Sequence, residues 1–218
     1  MELPGSVLLA SAYCGPVHYF AQMAGFGKVY IEQHENYIRQ TYRNRCVILG
    51  SNGPLPLTIP VEHGRSPGVK IRDIRIAWYE KWQMNHWRAI YSAYNNSPFF
   101  DYYADDLRPF YEKKREFLFD FNRMLTEKIM DLTGLEKELH LTEAFETVPG
   151  RFANLREVIS PKEKATDQGS VSCEIPYTQV FEGKFPFIPQ LSILDLLFNA
   201  GPETVDILRR SFTGGGSH

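Results

Sequence analysis

The stretch SVLLASAYCGPVHYFAQMAGFGKVYI, residues 6–31, decides the fold class. Its first residues, SVLLASA, form a short apolar run, and Tyr13-Cys14-Gly15-Pro16 is a turn. Residues 18–25 (HYFAQMAG) read as a helix with Tyr19, Phe20 and Met23 inward, and Val29-Tyr30-Ile31 as a second buried strand. Strand, loop, short helix, strand is the opening of an α/β unit. The expectation is therefore an α/β protein: a mixed sheet formed mainly by the N-terminal third, a helical region, and a C-terminal capped helix pair.

Outward from this unit, a polar segment (residues 32–45) leads to the strand-like runs Cys46-Val47-Ile48-Leu49 and LPLTIPV (residues 55–61). They are joined by Gly50-Ser51-Asn52-Gly53-Pro54, whose Asn-Gly dipeptide predicts a hairpin. Residues 69–76 alternate imperfectly, as an edge or bulged strand would. From Trp78 the period changes: Trp78, Trp82, His86, Ala89, Ile90 and Ala93 fall three and four apart and predict a helix with one apolar stripe. Ser97-Pro98 is read as starting another short helix, and residues 112–132 as a long one ending at Gly134. Residues 150–168 are weakly patterned and predict a mobile surface loop. Ser192-Ile193-Leu194-Asp195 matches a capping box, with a last amphipathic helix over 202–212. One domain over 1–213 is expected, sheet-rich to 77, helical over 78–140, with loop and terminal helices beyond; 214–218 read as a linker with the start of a tag.

Composition sets the outer bounds. With 218 residues, 43% of them hydrophobic, the chain buries roughly 70% of its unfolded surface without disulfides or a structural metal. The formal charge of −2 provides no global field for nucleic acid or anionic lipid, so neither a nucleic-acid nor a membrane partner is expected. Three cysteines without a CxxC pair, and no basic apolar leader, point to the cytoplasm. Aromatic residues reach 14%; the Phe and Trp on helical stripes are assigned to the core, and the Tyr to a candidate cleft.

Chemistry concentrates in the polar segment, which holds Glu32, His34, Glu35, Arg39, Tyr42, Arg43, Asn44 and Arg45 within fourteen residues. The arginines suit a phosphate or carboxylate, Asn44 adds a donor and an acceptor, and a nearby carboxylate or imidazole would serve as base. Cys14 near His18 has the outline of a thiol nucleophile and its base, but a buried inert cysteine fits as well. The same turn compares with the phosphate-handling loop of nucleotidylyltransferases, with one histidine here where that motif has two. The six histidines lack HxxxH or HxH spacing, so no metal site is expected. GxGxxG, GxxxxGK[ST] and GxSxG are absent, which leaves any cofactor unassigned.

Together these segments resemble the WbqC-like family, proteins often encoded in bacterial clusters for O-antigen and other surface polysaccharides. Tyr13, Tyr19 and Phe20 match its opening pattern; Tyr37, Arg39, Tyr42, Asn44, Arg45 and Leu57-Thr58-Ile59-Pro60-Val61 match its second block. Trp82, His86, Ile90 and Tyr94 match the middle pattern, and Tyr177, Gln179, Phe185, Pro189 and residues 191–199 the closing one. Cys14, Gly15, Pro16 and His18 stand where the family carries Gln-Pro and Pro-Trp, while Arg39 and Tyr42 replace Lys and Trp. The genetic neighbourhood that the resemblance implies, taken with the anion-holding block and the histidine on a helix, points to a transferase of surface-glycan assembly acting on an activated sugar or a small amine-bearing acceptor. His86 and Glu32 would move the proton, and Arg39, Tyr42, Asn44, Arg45, Tyr13, Tyr37 and Tyr177 would hold a small anionic substrate. A non-catalytic binding member and a nucleotidylyltransferase-like enzyme are the rival readings, and a homo-oligomer stays open.

Overall fold

A computed structural model gives the structure of the protein and describes residues 5–62, 68–147, 150, 152–161 and 175–212. Strand β1 (Ser6–Ala10), helix α1 (Val17–Gly25) and strand β2 (Lys28–Glu32) form the expected opening unit, with β1 and β2 parallel in the register Val7↔Val29 and Leu9↔Ile31. Val7, Leu8 and Leu9 are fully buried, as the uninterrupted apolar reading of a parallel strand covered on both faces requires. All nine residues of α1 are buried, the polar His18 and Gln22 among them, so the helix is enclosed on every side.

The hairpin follows as β3 (Arg45–Gly50) and β4 (Gly53–Thr58), antiparallel with Cys46 opposite Leu57. Gly53, at φ +110°, takes a backbone region that glycine supplies, directly after the loop residues Ser51 and Asn52. Residues 69–76 do not form a strand. A 3₁₀ turn, Ile71–Asp73, lies there between single bridges (Asn36 to Lys70, Val61 to Ile76). Ile71 and Ile74 are both buried, and three residues per turn places them on one side.

Helix α2 (Trp82–Tyr94) begins four residues later than the stripe suggests; Trp78 stays outside it with its ring 5.7 Å from that of Trp82. Helix α3 (Phe100–Glu112) starts beyond Ser97-Pro98 and is a full 13 residues. The long helix expected from Glu112 is interrupted and runs as α4 (Leu118–Leu132). Its missing first turn is extended because Ile76 N–H donates to the Glu116 carbonyl and Leu118 N–H to that of Ile74, which pins residues 116–118 along the 74–76 segment. Gly134, at φ +69°, ends α4 as read.

Two short strands complete the sheet: β5 (Leu139–Leu141) beside β2, and β6 (Phe152–Asn154) beside β1. The order is β5-β2-β1-β6, all parallel. Strand β6 lies inside the segment expected to be a loop; three residues joining an edge leave too little period to read. The part of that expected loop from 162 onward lies outside the described residues, as do residues 214–218.

The C-terminal pair is α5 (Ile193–Ala200) and α6 (Thr204–Arg210). Ser192 caps α5, its hydroxyl oxygen accepting from Leu194 N–H at 3.3 Å while donating to the Cys14 carbonyl at 2.9 Å. Asp195 also has a task away from the cap, since its buried carboxylate accepts from the Tyr177 hydroxyl at 2.8 Å. α6 packs against α1, and the chain after α6 brings Phe212 so close that a Cβ on Gly25 would lie 2.0 Å from its ring.

Candidate functional site

The segment leaving the carboxyl end of β2 is shaped by one buried ion pair. Arg43 Nε and Nη2 donate to Glu35 Oε1 and Oε2 at 2.8 and 2.6 Å, a bidentate fork that closes the loop on itself. Burial holds the Glu35 carboxyl above its ordinary value, and Arg43 offsets only part of that rise. Arg43 is thereby occupied and buried. Next to it Asn44 is locked on the chain beyond β4: its Nδ2 donates to the Ile59 carbonyl at 3.0 Å, and Ile59 N–H donates back to the Asn44 carbonyl at 2.8 Å. Asn122 of α4 adds a tie, donating to Ser11 Oγ at 3.0 Å and to the Arg43 carbonyl at 2.7 Å.

These constraints leave a cavity of about 320 Å³ lined chiefly by Tyr37, Arg39, Asn44, Arg45, Ile59 and Tyr79. Among the described residues, no carboxylate is in its lining. Neither Arg39 nor Arg45 forms an ion pair with a described residue, and Arg45 Nε only approaches Thr58 Oγ1 at 3.4 Å. Asn44 Oδ1 is buried without a hydrogen-bond partner among the described residues. Burial holds the Tyr37 hydroxyl near pKa 12, so at neutral pH it is a donor and not a base. The cavity is thus a cationic, donor-rich cleft.

His86 stands behind the wall of this cleft. Its Nδ1 lies 2.9 Å from the Tyr13 hydroxyl oxygen, and the nearby Thr58 backbone opposes part of the effect of burial on the ring. Tyr111 is 3.2 Å from Tyr13 Oη, and Cys14 Sγ 3.7 Å from Tyr111 Oη. Burial lowers the His86 pKa to about 4, which makes it a neutral imidazole at pH 7.

Of the residues singled out from sequence, Tyr37, Arg39, Asn44 and Arg45 meet in the cavity. Tyr13 and Tyr42 lie in the core, as do Tyr19 and Tyr94, so the tyrosines do not form one cleft wall. His18, also buried, presents its ring edge-on to Tyr42. Tyr177 lines a separate cavity with Phe185 and Phe187. Glu32 is fully buried elsewhere, at the end of β2, where it accepts from His34 N–H, Thr142 Oγ1, Glu146 N–H and Arg156 Nη1. Sequence reasoning missed Tyr79, Arg156 and Asn122. Asn122 had left a signal, since it sits with Leu118, Leu125 and Ile129 on the buried stripe of α4, where an amide needs partners.

Fold and site together define an α/β protein with a cationic cleft on the segment that leaves its parallel sheet. The model of the WbqC-like protein family matches residues 11–168, and the chain belongs to that family. It is also similar to the uncharacterized protein Rv1507c of Mycobacterium tuberculosis (strain ATCC 25618 / H37Rv), 31% identical over 215 residues covering 88% of this chain and 91% of the relative. No solved structure matches the chain.

Proposed function

We propose that the chain is a transferase of surface-glycan assembly, acting on an activated sugar or a small amine-bearing acceptor whose anionic group sits on Arg39, Asn44 and Arg45. The observation that carries this reading is the pair of arginines without a described carboxylate partner, lining one cavity with a buried amide. Two planar cations at such a site favour phosphate or carboxylate. About 320 Å³ lies at the small end of ligand sites, enough for a phosphate and part of a sugar. The free thiols of Cys14 and Cys46 suit a reducing cytoplasm, the proposed location. Among the described residues, no helix is long and apolar enough to cross a membrane.

Inorganic pyrophosphate tests the anion site. Binding is expected to raise the melting temperature of the wild-type chain, and Arg45→Ala should weaken it by at least about tenfold, the scale of one lost charge-assisted hydrogen bond. An equal thermal shift in an Arg39→Ala, Arg45→Ala double variant would refute the assignment.

One observation favours the rival reading of a non-catalytic binder: among the described residues, the cavity lining contains no carboxylate or imidazole to act as base. The two readings separate on turnover. A wild-type chain that binds nucleotide sugars without consuming them, alone or with amine acceptors, supports the binder.

A further inference from the structure

The stretch that carries Tyr37 and Arg39 also borders a second, larger cleft of about 560 Å³, lined by Glu35, Asn36, Ile38, Phe145, Asn154 and Arg156, among others. Side chains of one short segment thus divide between two cavities, Tyr37 and Arg39 into the cationic one and Asn36 and Ile38 into this one. The second cleft lies where β2 and β6 end, on either side of the ends of β1. Open α/β sheets bind ligands outside the carboxyl ends of their strands, where the strand order turns from one side to the other. Here the chain passes from β1 to β2 on one side and later adds β6 on the other.

The lining indicates what kind of ligand fits. Its strongest charges are already closed: Glu35 on Arg43 at 2.6 Å, and Arg156 on Glu32 at 3.1 Å. Among the described residues that line the cleft, Glu157 is the charge left over; beside it the Phe145 ring is approached by Lys70 Nζ at 5.9 Å and by the Arg156 guanidinium at 5.0 Å, so the local charges offset one another. This is the opposite of the cationic cleft, and it gives an ion of either sign little reason to enter. What the cleft does offer is the side-chain amide of Asn36, the Nδ2 of Asn154, whose oxygen accepts from Arg156 Nε at 3.0 Å, and the exposed apolar surfaces of Ile38 (43%) and Phe145 (46%). Large exposed apolar side chains concentrated at a cleft mark a binding surface. A neutral pyranose has the matching chemistry: hydroxyls that both donate and accept around its rim, and a C–H face that covers an aromatic ring.

We infer that the cleft between Asn36, Ile38, Phe145 and Asn154 binds a neutral pyranose, the sugar subsite next to the anion site. This deepens the function proposed above, and the assignment of both clefts to one activated sugar rests on it. Saturation-transfer NMR on the full chain tests the inference, with the methyl pyranosides of glucose, galactose, mannose, N-acetylglucosamine and rhamnose as probes. At least one is expected to receive saturation, strongest on the C–H protons of one ring face. Phe145→Ala and Asn36→Ala, both at exposed positions, should each reduce the signal at least about fivefold, the scale of one lost aromatic contact or one lost hydrogen bond. Absence of saturation for every pyranoside, or a signal that survives both variants, overturns the inference. The pyrophosphate-induced thermal shift separates the two readings: it should persist in Phe145→Ala, which also shows that the variant is folded, and vanish in Arg39→Ala, Arg45→Ala. In the wild-type chain, a pyrophosphate shift without any sugar signal refutes the sugar subsite alone, and a sugar signal without a pyrophosphate shift refutes the anion site alone.

Discussion

Glu32→Ala is expected to lower the unfolding free energy by about 3–5 kcal/mol, the cost of removing one partner from a buried ion pair. Glu32 is fully buried at the end of β2, and its two oxygens accept four hydrogen bonds, from His34 and Glu146 N–H, Thr142 Oγ1 and Arg156 Nη1. After the substitution Arg156, only 8% exposed, keeps the Asn154 side-chain oxygen and the Glu146 carbonyl but has lost its counter-charge. Urea denaturation followed by circular dichroism measures the loss. A double-mutant cycle with Arg156→Ala should return a coupling of at least about 1 kcal/mol, because the two changes remove the same contact. Additive costs would show that the pair is not closed in this way. Glu32 therefore ties β2 to the segments after β5 and β6 at the carboxyl end of the sheet, beside the cleft lined by Asn154 and Arg156.

The same residue illustrates what the sequence could and could not reveal. Local pattern was enough for β1, α1, β2 and the hairpin, since each is a continuous apolar run or period bounded by Gly or Pro. It was enough for Tyr37, Arg39, Asn44 and Arg45 as well, because residues close in sequence on one short loop stay close in space. What local pattern misses is pairing over distance. Glu32 meets Arg156 and Arg43 meets Glu35, and no spacing in the chain distinguishes the occupied Arg43 from the open Arg39 and Arg45. Strand β6 escaped for a related reason: three residues gain strand geometry only from their register on β1, Leu8 opposite Asn154. The interruption before α4 belongs here too, since its helical period is overridden by hydrogen bonds to residues 74 and 76. Tyrosine number had suggested a tyrosine-lined cleft, but a hydroxyl can be satisfied inside the core. Tyr13 does so on His86 and Tyr19 on the Ala10 carbonyl.

Acidification should destabilise the protein through His86 by about 3 kcal/mol between pH 7 and pH 4, the value of the interval from 6.5 to about 4. The sign follows from where the proton is held. Burial depresses the folded-state pKa below that of the unfolded chain, so in this window the unfolded state binds more protons and gains stability as pH falls. Stability from this group is fully present above about pH 6.5 and is lost on the way down to about 4. His86→Gln removes the titration while leaving an amide that can still hydrogen-bond to Tyr13, so its own loss over the same range should be smaller by that amount. Urea midpoints of both proteins at a series of pH values decide the matter; parallel loss would mean that His86 is not held neutral in the core. The outcome bears on the site as well. A buried ring whose Nδ1 meets the Tyr13 hydroxyl, and which is not among the residues lining the cleft, is not presented to a ligand there. Its effect on the cleft then runs through the position of Thr58 in the wall.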